Sequence, residues 1–306
     1  MKAKDVKGII AAMVTPFDEN LKIHEAAAKA LIDRLIGAGV SGIFILGTNG
    51  EFHVLSQVEK LHFARIVVEH VRGRVPVYAG TGGNSTSEVV FLSKKMEKLG
   101  VDALSVITPY FVPPTQQELV HHYRTVADSV KTPLVLYNIP KNTGVNLEPA
   151  SVRELAGIGN IIGIKDSSGK LENMEGYLEA AKGEEFAVLS GSDSLILKAL
   201  KAGASGAIAA TANLIADVDV SVYRHYMQGN LEAAEEAQAR IEGLRSVLKL
   251  GTIPSVLKKA VELSGIPVGP ARPPVGRLDE GSVAAIREMV DDYGMGKEEK
   301  HAEAGY

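Results

Sequence analysis

The feature that most constrains this chain is a unit that recurs eight times: a short apolar run, a cluster of Gly, Ser, Thr, Asn, Asp or Pro, then a longer stretch with helical periodicity. The runs are Gly8 to Val14, Gly42 to Leu46, Val75 to Ala79, Ala103 to Ile107, Leu134 to Tyr137, Ile161 to Lys165, Ala187 to Ser190 and Gly206 to Ala210. Short runs rich in Val, Ile and Leu, without polar alternation, suit strands buried on both faces, and parallel sheets covered by helices bury both faces. Between them lie helix starts. Ser56-Gln-Val-Glu59, Ser85-Thr-Ser-Glu88 and Thr115-Gln-Gln-Glu118 have the spacing in which a hydroxyl and a carboxylate satisfy the orphan amides of a first turn. Eight strands alternating with helices predict an α/β chain folded as a (β/α)8 TIM barrel rather than a doubly wound sheet, which usually has fewer strands.

After Asn213 the strand signals stop. Val218 to Met227, Leu231 to Leu248, Pro254 to Leu263 and Glu280 to Val290 read as helices, the first completing the eighth unit and the rest forming a C-terminal helical extension. The expected organisation is a barrel core over 1–215, the last barrel helix and the extension over 216–293, and a frayed tail over 294–306. Pro267 to Pro274, with four prolines in eight residues, is expected to be a rigid connector.

Composition narrows the function classes. The 306 residues carry 33 Lys+Arg against 37 Asp+Glu, a net charge of −4, with no long basic block, so neither nucleic acid nor an anionic membrane surface is expected as the main partner. Zero cysteines exclude disulfide scaffolds, thiolate metal sites and thiol nucleophiles. The N-terminal stretch is polar and its first apolar run is too short for a secretory core. No run approaches the roughly 18 apolar residues of a membrane span. A cytoplasmic protein is expected.

In such barrels the chemistry sits at the C-terminal ends of the strands. Three polar side chains stand there: Thr48, Tyr137 and Lys165. By the two-residue period, Lys165 shares a face with Gly163 and Ile161, Tyr137 with Val135, and Thr48 with Leu46 and Phe44. Ile161-Ile-Gly-Ile-Lys165 drives a lysine to the end of a buried strand, where it is expensive unless paired or neutral. Two readings stand. The lysine can snorkel out to pair with Asp166, or it can be a desolvated amine of lowered proton affinity, the nucleophile that forms a Schiff base with a ketone. Tyr137 is either a general acid/base within reach of that lysine or a barrel-lining aromatic. Gly47-Thr-Asn-Gly-Glu51 offers amides and a hydroxyl suited to a carboxylate or phosphate, and has the composition of a generic turn as well. Ser190 to Ser194 follows strand seven, where barrels often hold phosphates. The eight histidines include no His-Glu-x-x-His pair, so no metal site is expected, and His53 beside the glycine turn is the one to watch.

Taken together, Gly47-Thr-Asn-Gly-Glu51, Tyr137-Asn-Ile-Pro140 with Thr143-Gly144, Gly163-Ile-Lys-Asp166 and Ser190-Gly191 resemble the dihydrodipicolinate synthase/N-acetylneuraminate lyase family, from about Gly8 to Leu278. The resemblance implies a (β/α)8 barrel, usually a homotetramer, that binds pyruvate or a related 2-oxo acid as a Schiff base and needs no cofactor or metal. It implies Lys165 as the Schiff-base lysine and Tyr137 as the proton-transfer residue. Thr48, Asn49 and the Gly50 amide would hold the pyruvate carboxylate, Gly191 and Ile208 would line the pocket, and Asn142 and Ser167 would bear on specificity.

Three departures concern the aldehyde partner, the first being Asn49, where family synthases typically have a threonine. Family synthases place an arginine where this chain has Asn142, to grip a semialdehyde carboxylate, and a tyrosine inserted into a neighbouring subunit's site where it has Phe111. Within the family the pattern is most similar to 4-hydroxy-2-oxoglutarate aldolases, which form pyruvate and glyoxylate. Aldolases of 2-keto-3-deoxy sugar acids and 4-hydroxy-tetrahydrodipicolinate (dihydrodipicolinate) synthases are the alternatives, and a non-catalytic 2-oxo acid binding barrel is the alternative of another class.

Overall fold

A computed structural model of the chain describes residues 1–296. Eight strands, β1 (Gly8–Ala12), β2 (Gly42–Ile45), β3 (Val77–Gly80), β4 (Ala103–Ile107), β5 (Leu134–Asn138), β6 (Ile161–Asp166), β7 (Ala187–Ser190) and β8 (Gly206–Ala209), close into one parallel barrel in sequence order, with β8 pairing back to β1. All eight expected runs are strands, with ends shifted by at most two residues. Apart from Gly80 at the end of β3, they lie buried along their length because helices cover the outside and side chains fill the inside.

The register sorts the inward faces into layers. Gly80, Ser105, Val135, Gly163 and Ala187 are mutual partners in one, and Ile107, Tyr137, Lys165 and Leu189 in the next one up. The lower layer is made of small residues, so Phe44 and Tyr78, both fully buried, fill the space from β2 and β3. Lys165 and Tyr137 are thus paired neighbours on adjacent strands at the top.

Around the barrel run α1 (Glu25–Gly37), α2 (Gln57–Val71), α3 (Thr86–Leu99), α4 (Gln116–Ser129), the single-turn α5 (Pro140–Thr143), α6 (Pro149–Ala156), α7 (Leu171–Ala180), α8 (Ile196–Ala202) and α9 (Ala212–Met227). The capping boxes at Ser56 and Thr115 form. The one read at Ser85 does not: α3 begins at Thr86 with no side-chain cap, because the Ser85 hydroxyl pairs with that of Ser87 at 2.9 Å. Helix α9 starts six residues before the periodicity suggests, since Ile215 breaks the helical dihedrals (φ −117°, ψ 44°) and blurs the repeat. The boundary drawn at 215/216 falls at this kink.

Asn213, fully buried, closes the barrel seam. Its side chain accepts from the Val14 amide at 3.0 Å and donates to the carbonyls of Ala12 and Ala210 at 2.8 Å each. The extension consists of α10 (Leu231–Val247), α11 (Ser255–Leu263) and α12 (Glu280–Asp292). The proline-rich segment between α11 and α12 crosses to the barrel, where the Val268 carbonyl accepts the Phe17 amide at 2.9 Å. The expected frayed tail lies outside the described residues from 297 onward. No helix among the described residues is long and apolar enough to cross a membrane.

Candidate active site

Lys165 is 4% exposed, at the top of β6 beside Tyr137 of β5. Its Nζ lies 4.2 Å from the centroid of the Tyr137 ring and 4.9 Å from that of Phe44, and the two rings meet edge to face at 6.2 Å. Aromatic faces replace part of the hydration that burial removes. Among the described residues no carboxylate lies within 4.0 Å of this ammonium. Asp166 is not its partner, because strand alternation turns that carboxylate outward. There it accepts from Asn138 Nδ2 at 2.9 Å, Ser168 Oγ at 2.6 Å and Asn173 Nδ2 at 3.0 Å. The pairing reading of Lys165 is therefore overturned.

Thr48 reaches the site by another route than the strand period suggested. β2 ends at Ile45, and Leu46 turns left-handed (φ 59°), so face alternation stops before Thr48. The turn carries the half-buried Thr48 over the barrel instead, and its Oγ1 lies 3.1 Å from the Tyr137 hydroxyl. Asn49 is half-buried beside it and Gly50 buried, its carbonyl accepting from Thr15 Oγ1 at 2.7 Å.

The opposite wall is Gly191, after β7. Its amide donates to the Asp166 carbonyl at 2.7 Å, and its carbonyl accepts from Ser167 Oγ at 3.3 Å. A Cβ here would sit 2.0 Å from Ser167 Oγ and 2.8 Å from Lys165 Cε, so only glycine leaves the lysine its place. Ile208, on the inward face of β8, is buried.

The structure thus brings Lys165, Tyr137 and Thr48 together, with Ser167 and Gly191 against the lysine. Asn142 is exposed on the single-turn α5 and makes no side-chain hydrogen bond among the described residues. Phe111 is 91% exposed and left-handed (φ 78°). His53 is exposed and packs edge-on against Phe52.

The loop after β7 spends its polar groups internally. Ser190 Oγ bonds the Ser192 carbonyl, and the Ser192 and Ser194 hydroxyls lie 3.3 Å apart. Asp193 accepts the amides of Ala210 and Thr211 at 3.0 and 3.3 Å, so its carboxylate takes the donors that a phosphate at the end of β8 would need. Burial raises its pKa even so, with Arg245 3.9 Å away opposing the rise. Sequence reasoning missed Asp193 and the ring of Phe44. Phe44 was placed on the Thr48 face by strand period, a signal that marked its direction but not its contact with Lys165.

A cavity of about 1020 Å³ lies elsewhere, between the β3 and β4 loops and α4, lined by Asn84, Tyr110, Phe111, Glu118 and His122 among others. It touches none of the residues around Lys165.

Residues 5–292 match the dihydrodipicolinate synthetase family. The chain belongs to that family. The 4-hydroxy-tetrahydrodipicolinate synthase of Methanopyrus kandleri is 37% identical over 292 residues, covering 95% of this chain and 97% of the relative, and that of Archaeoglobus fulgidus is 37% identical over 285 residues, covering 93% and 97%. Among solved structures, a dihydrodipicolinate synthase from Bacillus anthracis superposes with a TM-score of 0.90 at 33% identity, over 93% of this chain and 97% of the other. A prophage protein of the same family from E. coli K12, solved with pyruvate, gives 0.90 at 34% identity over 95% and 99%. Membership at this identity makes the chain a family enzyme. These curated relatives carry the synthase name, and they do not bear out the likeness to 4-hydroxy-2-oxoglutarate aldolases read from short motifs.

Proposed function

We propose that this enzyme binds pyruvate as a Schiff base on Lys165 and joins its methyl carbon to an aldehyde, or runs that reaction in reverse. The observation that carries this is a buried lysine with no carboxylate partner among the described residues, flanked by Tyr137 and Phe44 and left its room by Gly191. The pyruvate held by the E. coli K12 neighbour supports the same ligand. The neutral Lys165 amine adds to the ketone carbon, and the carbinolamine loses water to give an imine. Protonated, that imine is an electron sink: a proton passes from the methyl carbon to water, the C–H pair becomes the C=C bond of the enamine as the C=N pair moves to nitrogen, and the enamine carbon attacks the aldehyde carbon, whose oxygen takes up a proton. Tyr137, its hydroxyl beside Thr48, moves protons at the carbinolamine step. The turn at Thr48, Asn49 and Gly50 takes the carboxylate of pyruvate, Ile208 bounds its methyl end, and Ser167 borders the imine carbon.

The relatives' name supports 4-hydroxy-tetrahydrodipicolinate synthesis, with aspartate semialdehyde as the aldehyde, as the first reaction to assay. A second reading, cleavage of 4-hydroxy-2-oxoglutarate or of a 2-keto-3-deoxy sugar acid, is favoured by one observation. The exposed Asn142 offers no guanidinium for the carboxylate of a semialdehyde. We propose a homotetramer as well, supported by the exposed Phe111 and Val112 (91% and 70%). One structural neighbour is described as a monomeric variant, so light scattering on the purified chain is the test.

The deciding experiment is borohydride reduction with pyruvate, followed by intact mass and peptide mapping. An adduct on Lys165 is expected, and its absence overturns the proposal. Condensation with aspartate semialdehyde, compared with pyruvate release from the two aldol substrates, then assigns the partner.

A further inference from the structure

Two segments of the C-terminal extension have no part in the chemistry above: the Leu257-Lys258 pair of α11 and the stretch from Gly269 to Pro274 that follows it. The fold brings both against the turn Gly47 to Glu51. Lys258 is 0% exposed, and its Nζ donates to the carbonyls of Thr15 at 2.9 Å and Pro270 at 2.7 Å and to Glu51 Oε1 at 3.0 Å. Those three acceptors use all three of its protons, and the Phe17 ring stands 4.2 Å away. Glu51, 1% exposed, accepts the Arg272 amide on its other oxygen at 2.8 Å. The Arg272 guanidinium in turn donates to the carbonyls of Leu21 and Val54 and to Glu59.

This network ends where the turn ends. Glu51 closes it in a left-handed conformation (φ 56°, ψ 34°), and Leu46 opens it in another (φ 59°). Non-glycine residues persist there only when their surroundings impose it. Thr15 holds the Gly50 carbonyl with its hydroxyl and Lys258 with its own carbonyl, so Gly50 and Glu51 are gripped from beneath by one connected set of bonds. Thr48 and Asn49 lie between the strained ends and inherit their placement from them.

We propose that Lys258, from the C-terminal extension, is a positioning residue for 2-oxo acid binding: through Glu51 it sets the backbone of the turn that receives the substrate carboxylate. This rests on the reading of that turn given under the proposed function. Loss of the Lys258 to Glu51 link lets the turn relax, scatters its donors and weakens carboxylate binding, while the imine chemistry at Lys165 stays intact.

The test is borohydride trapping on Lys165 against carbonyl concentration, with pyruvate and with acetone, which lacks the carboxylate, followed by peptide mapping. The main variant is Lys258→Met with Glu51→Gln, so that no buried charge is left alone. Half-saturating pyruvate is expected to rise tenfold or more, with the saturated trapping rate within threefold and acetone trapping unchanged. A generally loosened fold would lower both carbonyls alike. Lys259→Met, whose ammonium pairs with Glu262 outside the network, is expected to change nothing. If the double variant does not fold, Glu51→Gln alone, which keeps the shape and an acceptor for Lys258, is expected to shift pyruvate in the same direction by a smaller factor. Wild-type protein that traps no pyruvate, or prefers it no more than acetone, overturns the underlying reading. Wild-type preference that survives in the folded variants overturns the role of Lys258 by itself.

Discussion

Gly191→Ala isolates the steric part of the site in a single methyl group. Its carbon would lie 2.8 Å from Lys165 Cε, 3.0 Å from the Asp166 carbonyl oxygen and 2.0 Å from Ser167 Oγ. Ser167 can rotate away at the loss of its 3.3 Å bond to the Gly191 carbonyl. The lysine has less choice, with Tyr137 and Phe44 already against its ammonium. Carbon atoms pack at about 3.5–4.0 Å, so Cε must retreat by about 1 Å. A displacement of that size from reacting geometry costs about 100-fold, or about 2.7 kcal/mol of barrier. Overpacking costs the fold about 1–3 kcal/mol, which lowers Tm by several degrees and leaves the protein folded at 25 °C. The assay is the rate of borohydride trapping on Lys165 at saturating pyruvate, beside a melting curve. Gly157→Ala is the control: its added carbon would meet only the Glu154 carbonyl at 3.6 Å, so neither trapping nor stability should move appreciably. Trapping in Gly191→Ala within threefold of wild type would refute the idea that Gly191 exists to make room for the lysine.

Tyr137→Phe removes the hydroxyl beside Thr48 and is expected to lower kcat by about 10²- to 10⁴-fold with little change in Tm, since the ring contacts with Phe44 and Lys165 remain; steady-state kinetics and calorimetry check both. Burial pushes His122 down to about 4, with His121 adding to the shift. Because its folded pKa lies below its unfolded value of about 6.5, the unfolded chain binds the extra proton first, and stability falls by up to roughly 3 kcal/mol as pH drops from 6.5 to 4. His122→Gln should flatten that limb of the Tm against pH curve, and an unchanged slope would remove His122 as its cause. Burial, reinforced by the charge of Asp193, holds the Asp219 carboxyl well above its usual range. Keeping it protonated costs more as pH rises above 3.8, so Asp219→Asn should gain stability on wild type as pH rises from there, and a variant that loses ground with rising pH would contradict the assignment.

The strands were legible because their signal is local. A run such as Leu134 to Tyr137 is apolar on both faces wherever the chain goes, and the capping boxes at Ser56 and Thr115 close within four residues. Lys165 and Tyr137 were legible for the same reason, since a polar residue ending an apolar run is placed at a barrel rim by parity alone. Thr48 does stand beside Tyr137, but not by the strand period that seemed to carry it there, because the left-handed Leu46 ends that alternation. Ser85 shows the converse: its motif was present, but a nearer hydroxyl at Ser87 won the bond.

The sequence by itself therefore determined which segments become strands, which helices follow them, and which polar side chains stand at the strand ends. Only the closed structure decided what those side chains meet. Asp166 turns away from Lys165, Asp193 takes the amides at the end of β8, and Lys258 finds Glu51 across 207 residues of chain. Periodicity and capping are written in neighbouring residues, whereas these contacts form between segments far apart in sequence, and only barrel closure brings them within hydrogen-bond range.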